Sequence, residues 1–132
     1  MPDPDEPAID AWVGRVAEVV GDDPAMLQRT VLVGHSVGCQ AIVRYLATLP
    51  PGAVAAGVLC VAGWWAVDEA WESIVPWVET PCDVARARDA SAKFHVLLSD
   101  NDPFTSDFAA NRRLWEERLG ATVEVIAGAR HF

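Results

Sequence analysis

Ser36, an aspartate near position 100 and His131 have the residue types and the chain order that nucleophilic acyl transfer requires. Ser36 stands in Gly34-His35-Ser36-Val37-Gly38, a G-x-S-x-G pattern. In a sharp strand-to-helix turn, glycines on either side of the serine let the helix approach the strand, and Oγ projects above the sheet edge. The same turn aims the helix N-terminus at an oxyanion forming beside Ser36, which makes the Val37 N–H the expected oxyanion donor. A serine hydroxyl is a weak nucleophile until a base takes its proton and an acid orients that base. Of the three histidines, His35 precedes Ser36 and points elsewhere on the turn, and His95 falls inside a strand-like run. Only His131 follows both Ser36 and a suitable acid. The acid comes from Ser99-Asp100-Asn101-Asp102-Pro103-Phe104. Asp102 lies further into this loop and is held extended by the following proline, so it is preferred; Asp100, a turn former, is the alternative. In such a set His131 accepts the Ser36 proton as Oγ attacks a carbonyl, Asp102 fixes the imidazole, and water releases the acyl group. The substrate class is a carboxylic ester, thioester or related small acyl compound.

The surrounding sequence predicts the elements that would hold these residues. Residues 8–20 place Ile9, Trp12, Val13, Val16, Val19 and Val20 at helical spacing, and Gly21-Asp22-Asp23-Pro24 ends that helix. Thr30-Val31-Leu32-Val33 is charge-free, β-branched and without alternation, which predicts a strand buried on both faces. A helix from Cys39 to Ala47 stops at Pro50-Pro51-Gly52. Further strands are predicted at 57–62, 93–99 and 122–126, with a helix through Phe108, Leu114, Trp115 and Leu119 that Gly120 ends. Strands alternating with helices imply an α/β class: a mostly parallel sheet with helices on both faces, within one domain over residues 1–132. His131 then lies beyond the carboxyl end of the last strand, where catalytic groups collect in open α/β sheets. The irregular stretch 63–92 holds Trp64, Trp65, Trp71 and Trp77. These read either as an aromatic wall for an apolar substrate or as bulk packing an excursion against the sheet.

Composition removes other classes. The chain has 132 residues, 52% hydrophobic, with 10 Lys+Arg against 19 Asp+Glu and a net charge of −9. That balance repels DNA and anionic membranes, so neither nucleic acid nor a membrane is an expected partner. Cys39, Cys60 and Cys82 are too few for a disulfide framework, and Cys39 lies too far into its helix to replace Ser36 as nucleophile. Residues 1–7 lack the pattern of a secretory signal, and Pro50-Pro51-Gly52 interrupts the longest uncharged stretch, so a cytoplasmic protein is expected. No C-x-x-C, H-E-x-x-H, Walker A or G-x-G-x-x-G pattern calls for a metal or cofactor.

Four segments together carry a family resemblance: Met1-Pro2-Asp3-Pro4, Val33-Gly34-His35-Ser36-Val37-Gly38-Cys39, Ser99 through Phe104, and Ala129-Arg130-His131-Phe132. In this order the chain resembles the small serine hydrolases typified by retinoblastoma-binding protein nine and its bacterial, YdeN-like relatives. The resemblance implies an α/β-hydrolase fold and places the triad on Ser36, Asp102 and His131. In that family the Met-Pro-Asp-Pro segment is internal, following an opening strand, a glycine-rich loop and a second strand, and a helix closes the domain. Nothing in residues 1–30 reads as the strand or the loop, and the chain stops one residue after His131. The expectation is an incomplete domain with Val37 as its one oxyanion donor. Its edge at 30–34 would be exposed, for a second copy or a partner chain to cover. The rival expectation is an inactive or truncated hydrolase-fold protein acting as an interaction module.

Overall fold

The computed structural model describes residues 1–132. In chain order the elements are α1 (Ile9–Val20), α2 (Pro24–Leu27), β1 (Val31–His35), α3 (Val37–Thr48), β2 (Gly57–Val61), α4 (Val75–Glu79), α5 (Val84–Asp89), β3 (Phe94–Ser99), α6 (Phe108–Leu119) and β4 (Thr122–Ile126). Helix α1 turns its Trp12–Val13–Val16–Val20 stripe inward and ends where Gly21, at φ 74°, sends its N–H back to the Ala17 carbonyl. The predicted stop at residues 21–24 also starts a helix: the Asp23 side chain caps α2 by accepting from the Ala25 and Met26 N–H groups. At α6, the Asp107 carboxylate caps the start and left-handed Gly120 ends the helix.

The four strands pair in parallel, in the order β1-β2-β3-β4, so every crossover joins nearest neighbours. The α/β class with a parallel sheet is therefore as expected. The two-sided burial expected of Thr30–Val33 is not. On one face Leu32, Val58, Cys60, Phe94, Val96 and Leu98 lie in the main core. Helices α3 and α6 pack directly on that face, while α1 and α5 pack through α3. On the other face Val31 and Val33 are 60% and 65% exposed, and Leu59, Val61, Leu97 and Ile126 are half-buried. Both faces are apolar in β1, so composition alone concealed which one is covered. Alternation in burial, not in polarity, is what the strand shows.

The excursion between β2 and β3 is anchored to α3 by buried polar side chains. The Arg44 guanidinium donates to the carbonyls of Trp77, Thr80 and Pro81. Its burial lowers the guanidinium pKa from the ordinary value. A second, smaller core of Trp12, Ala41, Trp64, Ile74 and Trp77 forms between α1, α3 and this excursion. Trp77 and Trp12 donate their indole N–H groups to the Pro7 and Pro2 carbonyls, both at 2.6 Å, which pins the first residues alongside. No helix is long and apolar enough to cross a membrane.

Candidate active site

Ser36 is the hinge between β1 and α3, with φ 52° and ψ −124°. A non-glycine residue in that region costs about 1–3 kcal/mol and persists only where its surroundings hold it. Here they do. The Ser36 N–H donates to the Val61 carbonyl at 2.9 Å, and the Ser36 carbonyl accepts from the Cys39 N–H at 3.0 Å. The two glycines of the motif turn out to be unequal. A Cβ on Gly34 would stand 2.9 Å from both the Cys39 nitrogen and Ile42 Cδ1, so close helix-to-strand approach requires glycine there. A Cβ on Gly38 would meet nothing within 4 Å. Val37 opens α3, and its N–H has no carbonyl within the helix to reach.

The acid loop and the final turn come together beside this hinge. His131 Nδ1 donates to Asp102 Oδ2 at 2.7 Å, and Asp102 is 5% exposed. The other Asp102 oxygen accepts from the Phe104 N–H at 2.9 Å. Asp100, the alternative acid, is occupied elsewhere: it accepts from the Gly128 N–H at 2.8 Å. Asn101 in turn accepts from the Arg130 N–H at 2.7 Å, so three consecutive side chains grip residues 128–131. With Nδ1 committed to Asp102, the free ring nitrogen of His131 is Nε2. No hydrogen bond joins it to Ser36 Oγ; in unliganded sites such bonds are often long. Thus the structure bonds Asp102 to His131 and leaves Ser36 unbonded to either.

His35 was expected to point away from this region, but its Nε2 donates to the His131 carbonyl at 2.7 Å. The two imidazoles meet edge to face at 4.9 Å, and Phe104 meets His131 the same way at 4.8 Å. His95 lies near the start of β3, on the open face, 3.7 Å from Glu124. Cys39 is fully buried and donates to the Val61 carbonyl. Its neighbour Cys60 is held as a thiol, pushed up first by the hydrogen bond with Cys39 and then by burial.

The four tryptophans proposed as pocket wall have separate fates. Trp71 is half exposed and, with Phe104, Pro103, Asp68, Glu69 and Ala70, lines a cavity of about 610 Å³. Asp68 fastens this wall to the acid loop by accepting from the Ser106 N–H and hydroxyl at 2.9 and 3.0 Å. Trp65 lies against Trp115 and under the Arg118 guanidinium, and Trp77 is in the smaller core, so neither lines that cavity. Trp64 is buried with its indole N–H 3.4 Å from Ser36 Oγ.

Three positioning residues were not singled out in the sequence: Gln40, Asn111 and Gly63. Gln40 donates to the Trp64 carbonyl. Asn111 accepts from the Trp65 and Ala66 N–H groups at 2.7 and 3.1 Å and returns a bond to the Ala66 carbonyl. A Cβ on Gly63 would stand 2.8 Å from the Trp115 ring. The available signal for Asn111 was its place four residues before Trp115 and eight before Leu119, on the buried stripe of α6.

Comparison with known proteins places the chain in a family and a fold. The family model for serine hydrolases matches residues 1–132. Among solved structures, the chain is similar to the ydeN gene product of B. subtilis, with a TM-score of 0.80 and 22% identity over 99% of this chain and 68% of that one. A protein described as a YdeN-like hydrolase, from Pectobacterium atrosepticum, gives 0.59 and 22% over 96% of this chain and 59% of that one. A structure from work on carboxylesterases of the ammonia-oxidizing thaumarchaeon Nitrososphaera gargenis gives 0.67 and 12%, over 99% and 67%. These likenesses show the shared fold. No curated protein matches the chain in sequence.

Proposed function

Because the chain belongs to the serine hydrolase family, we propose that it hydrolyses a carboxylic ester, thioester or related small acyl substrate, with Ser36 as nucleophile, His131 as base and Asp102 as its orienting acid. The observation that carries this reading is the 2.7 Å contact from His131 Nδ1 to the buried Asp102 carboxylate, which leaves Nε2 as the nitrogen able to take a proton. As Ser36 Oγ bonds to the acyl carbon, its proton passes to His131 Nε2 and the carbonyl electron pair moves to the carbonyl oxygen. The Val37 N–H at the start of α3 stabilises that oxyanion. Collapse expels the alcohol or thiol, which takes the proton from His131. Water then repeats the sequence on the acyl-enzyme and releases the acid. The cavity beside Trp71 and Phe104 adjoins His131 through the Phe104 ring, and its Trp71–Phe104 side offers an apolar surface to the substrate.

Intact-mass detection of fluorophosphonate labelling tests this reading, with Ser36→Ala alongside. One adduct per chain, lost in the alanine variant, is the expected result; a folded chain that takes no adduct overturns it. The open sheet face of Val31 and Val33 favours a second reading, in which the protein acts through contact with a partner or a second copy. Under that reading Val33→Ser abolishes partner binding while Ser36→Ala leaves it intact.

A further inference from the structure

We propose that Trp64 acts as a hydrogen-bond donor to the reacting oxygen of Ser36, a catalytic contact and not a pocket wall; the inference rests on the acyl-transfer reading above. Its indole N–H lies 3.4 Å from Ser36 Oγ. An indole nitrogen only donates, so this contact directs its N–H at a lone pair of Oγ. Trp64 is 2% exposed, which removes water as a competing acceptor.

The ring is also held firmly for this task. Its own carbonyl accepts from Gln40, the next two N–H groups are gripped by Asn111, and its neighbours in the smaller core are Trp12, Ala41, Ile74 and Trp77. Gly63, immediately before it, packs against Trp115 too closely for any side chain. An apolar wall needs none of this polar anchoring. A donor that must keep its direction does.

The contact matters at both chemical stages. With one lone pair engaged by Trp64, the Ser36 hydroxyl keeps its proton free to pass to His131 when the substrate is attacked. During acylation the O–H bond breaks, the proton goes to His131 Nε2, and Oγ carries partial negative charge until its bond to carbon is complete. During deacylation water bonds to the acyl carbon and gives a proton to His131 Nε2; the carbon–Oγ bond then breaks, the electron pair returns to Oγ, and His131 passes it that proton. A fixed N–H binds this charged oxygen more strongly than the neutral hydroxyl, so it stabilises the transition states more than the ground state.

Two measurements test the proposal. The six tryptophans supply six indole signals in ¹H–¹⁵N spectra, and Trp64→Phe identifies the one that belongs to Trp64. Ser36→Ala should shift that signal and leave the other five in place; an unmoved Trp64 signal overturns the proposal whether or not the protein is active. In kinetics, Trp64→Phe should slow both fluorophosphonate labelling and kcat by about tenfold to a hundredfold, the worth of one hydrogen bond to a charged group. Acetyl and butyryl aryl esters should lose the same factor, with KM unchanged. A loss that grows with acyl length, or that appears in KM, means a pocket wall and overturns the donor role. Should Trp64→Phe fail to fold, benzothienylalanine at position 64 alone keeps the ring shape and replaces the N–H by sulfur, with the same outcomes expected. Wild-type protein that takes no label but shows the Ser36→Ala shift refutes the hydrolase reading while supporting the Trp64–Ser36 bond.

Discussion

Ser36 sits between a strand and a helix packed tightly enough that Gly34 can carry no side chain, whereas His131 sits on a turn held by single polar ties. Around the serine, Cys39 and Val43 are fully buried and the backbone itself closes the hinge. Around the histidine, Asp100, Asn101, Asp102 and His35 each contribute a hydrogen bond to a backbone or ring atom. Packing is dense, cooperative and insensitive to pH or salt. A lone hydrogen bond is worth about 0.5–1.5 kcal/mol and depends on one partner. Ser36 is thus positioned by volume and His131 by polar chemistry, so damage to one half should leave the other standing.

The largest effect should come from Ser36→Ala: activity falls by about a millionfold and labelling disappears, while the urea unfolding midpoint stays close to wild type. A large stability loss would mean that the hinge depends on the hydroxyl and would break the contrast. Next, Asp102→Asn should lower kcat by about 10⁴-fold through the wrong imidazole tautomer, measured by ester hydrolysis, with Ser36 still folded on its hinge. Gly34→Ala probes the packed half from the stability side. Its Cβ would meet backbone, so unfolding in urea should show a loss of about 1–3 kcal/mol. Gly38→Ala, which meets nothing, should be neutral or gain about 0.5–1 kcal/mol. Equal effects at the two glycines would refute the asymmetry. The smallest kinetic effect belongs to His35→Ala: kcat should drop about fivefold, the worth of one hydrogen bond of about 1 kcal/mol.

These two kinds of positioning also explain what could be read from residues alone. Gly34-His35-Ser36-Val37-Gly38 after a β-branched run located the hinge, because a tight turn leaves a local signature. Asp102 was preferred over Asp100 for its place further into the loop and for Pro103, and Asp102 is the one of the two whose carboxylate contacts His131. The anchors of the tryptophan excursion were less accessible. Gln40 reaches Trp64 across 24 residues and Asn111 reaches Trp65 across 46, and no local pattern encodes such pairs. Nor could composition separate Trp64, Trp65, Trp71 and Trp77, since an indole in a core, under a guanidinium, on a cavity rim or against a hydroxyl is the same letter. The covered and uncovered sides of β1 were equally opaque, because valine occupies the outer positions where a polar residue would have declared them.

The strand order has a consequence for how the molecule is made. Because β1, β2, β3 and β4 lie side by side in the order they occur in the chain, each can dock onto a neighbour already synthesised. No strand must wait for a distant one, and the loops closed at each stage stay short in entropic terms. Residues that meet across the site emerge at different times: the hinge with Ser36 forms early, Trp64 follows after β2, the acid loop after β3, and His131 only after β4. A nascent chain therefore exposes Ser36 well before His131, its proposed base. The proposed site is complete only once β4 has formed.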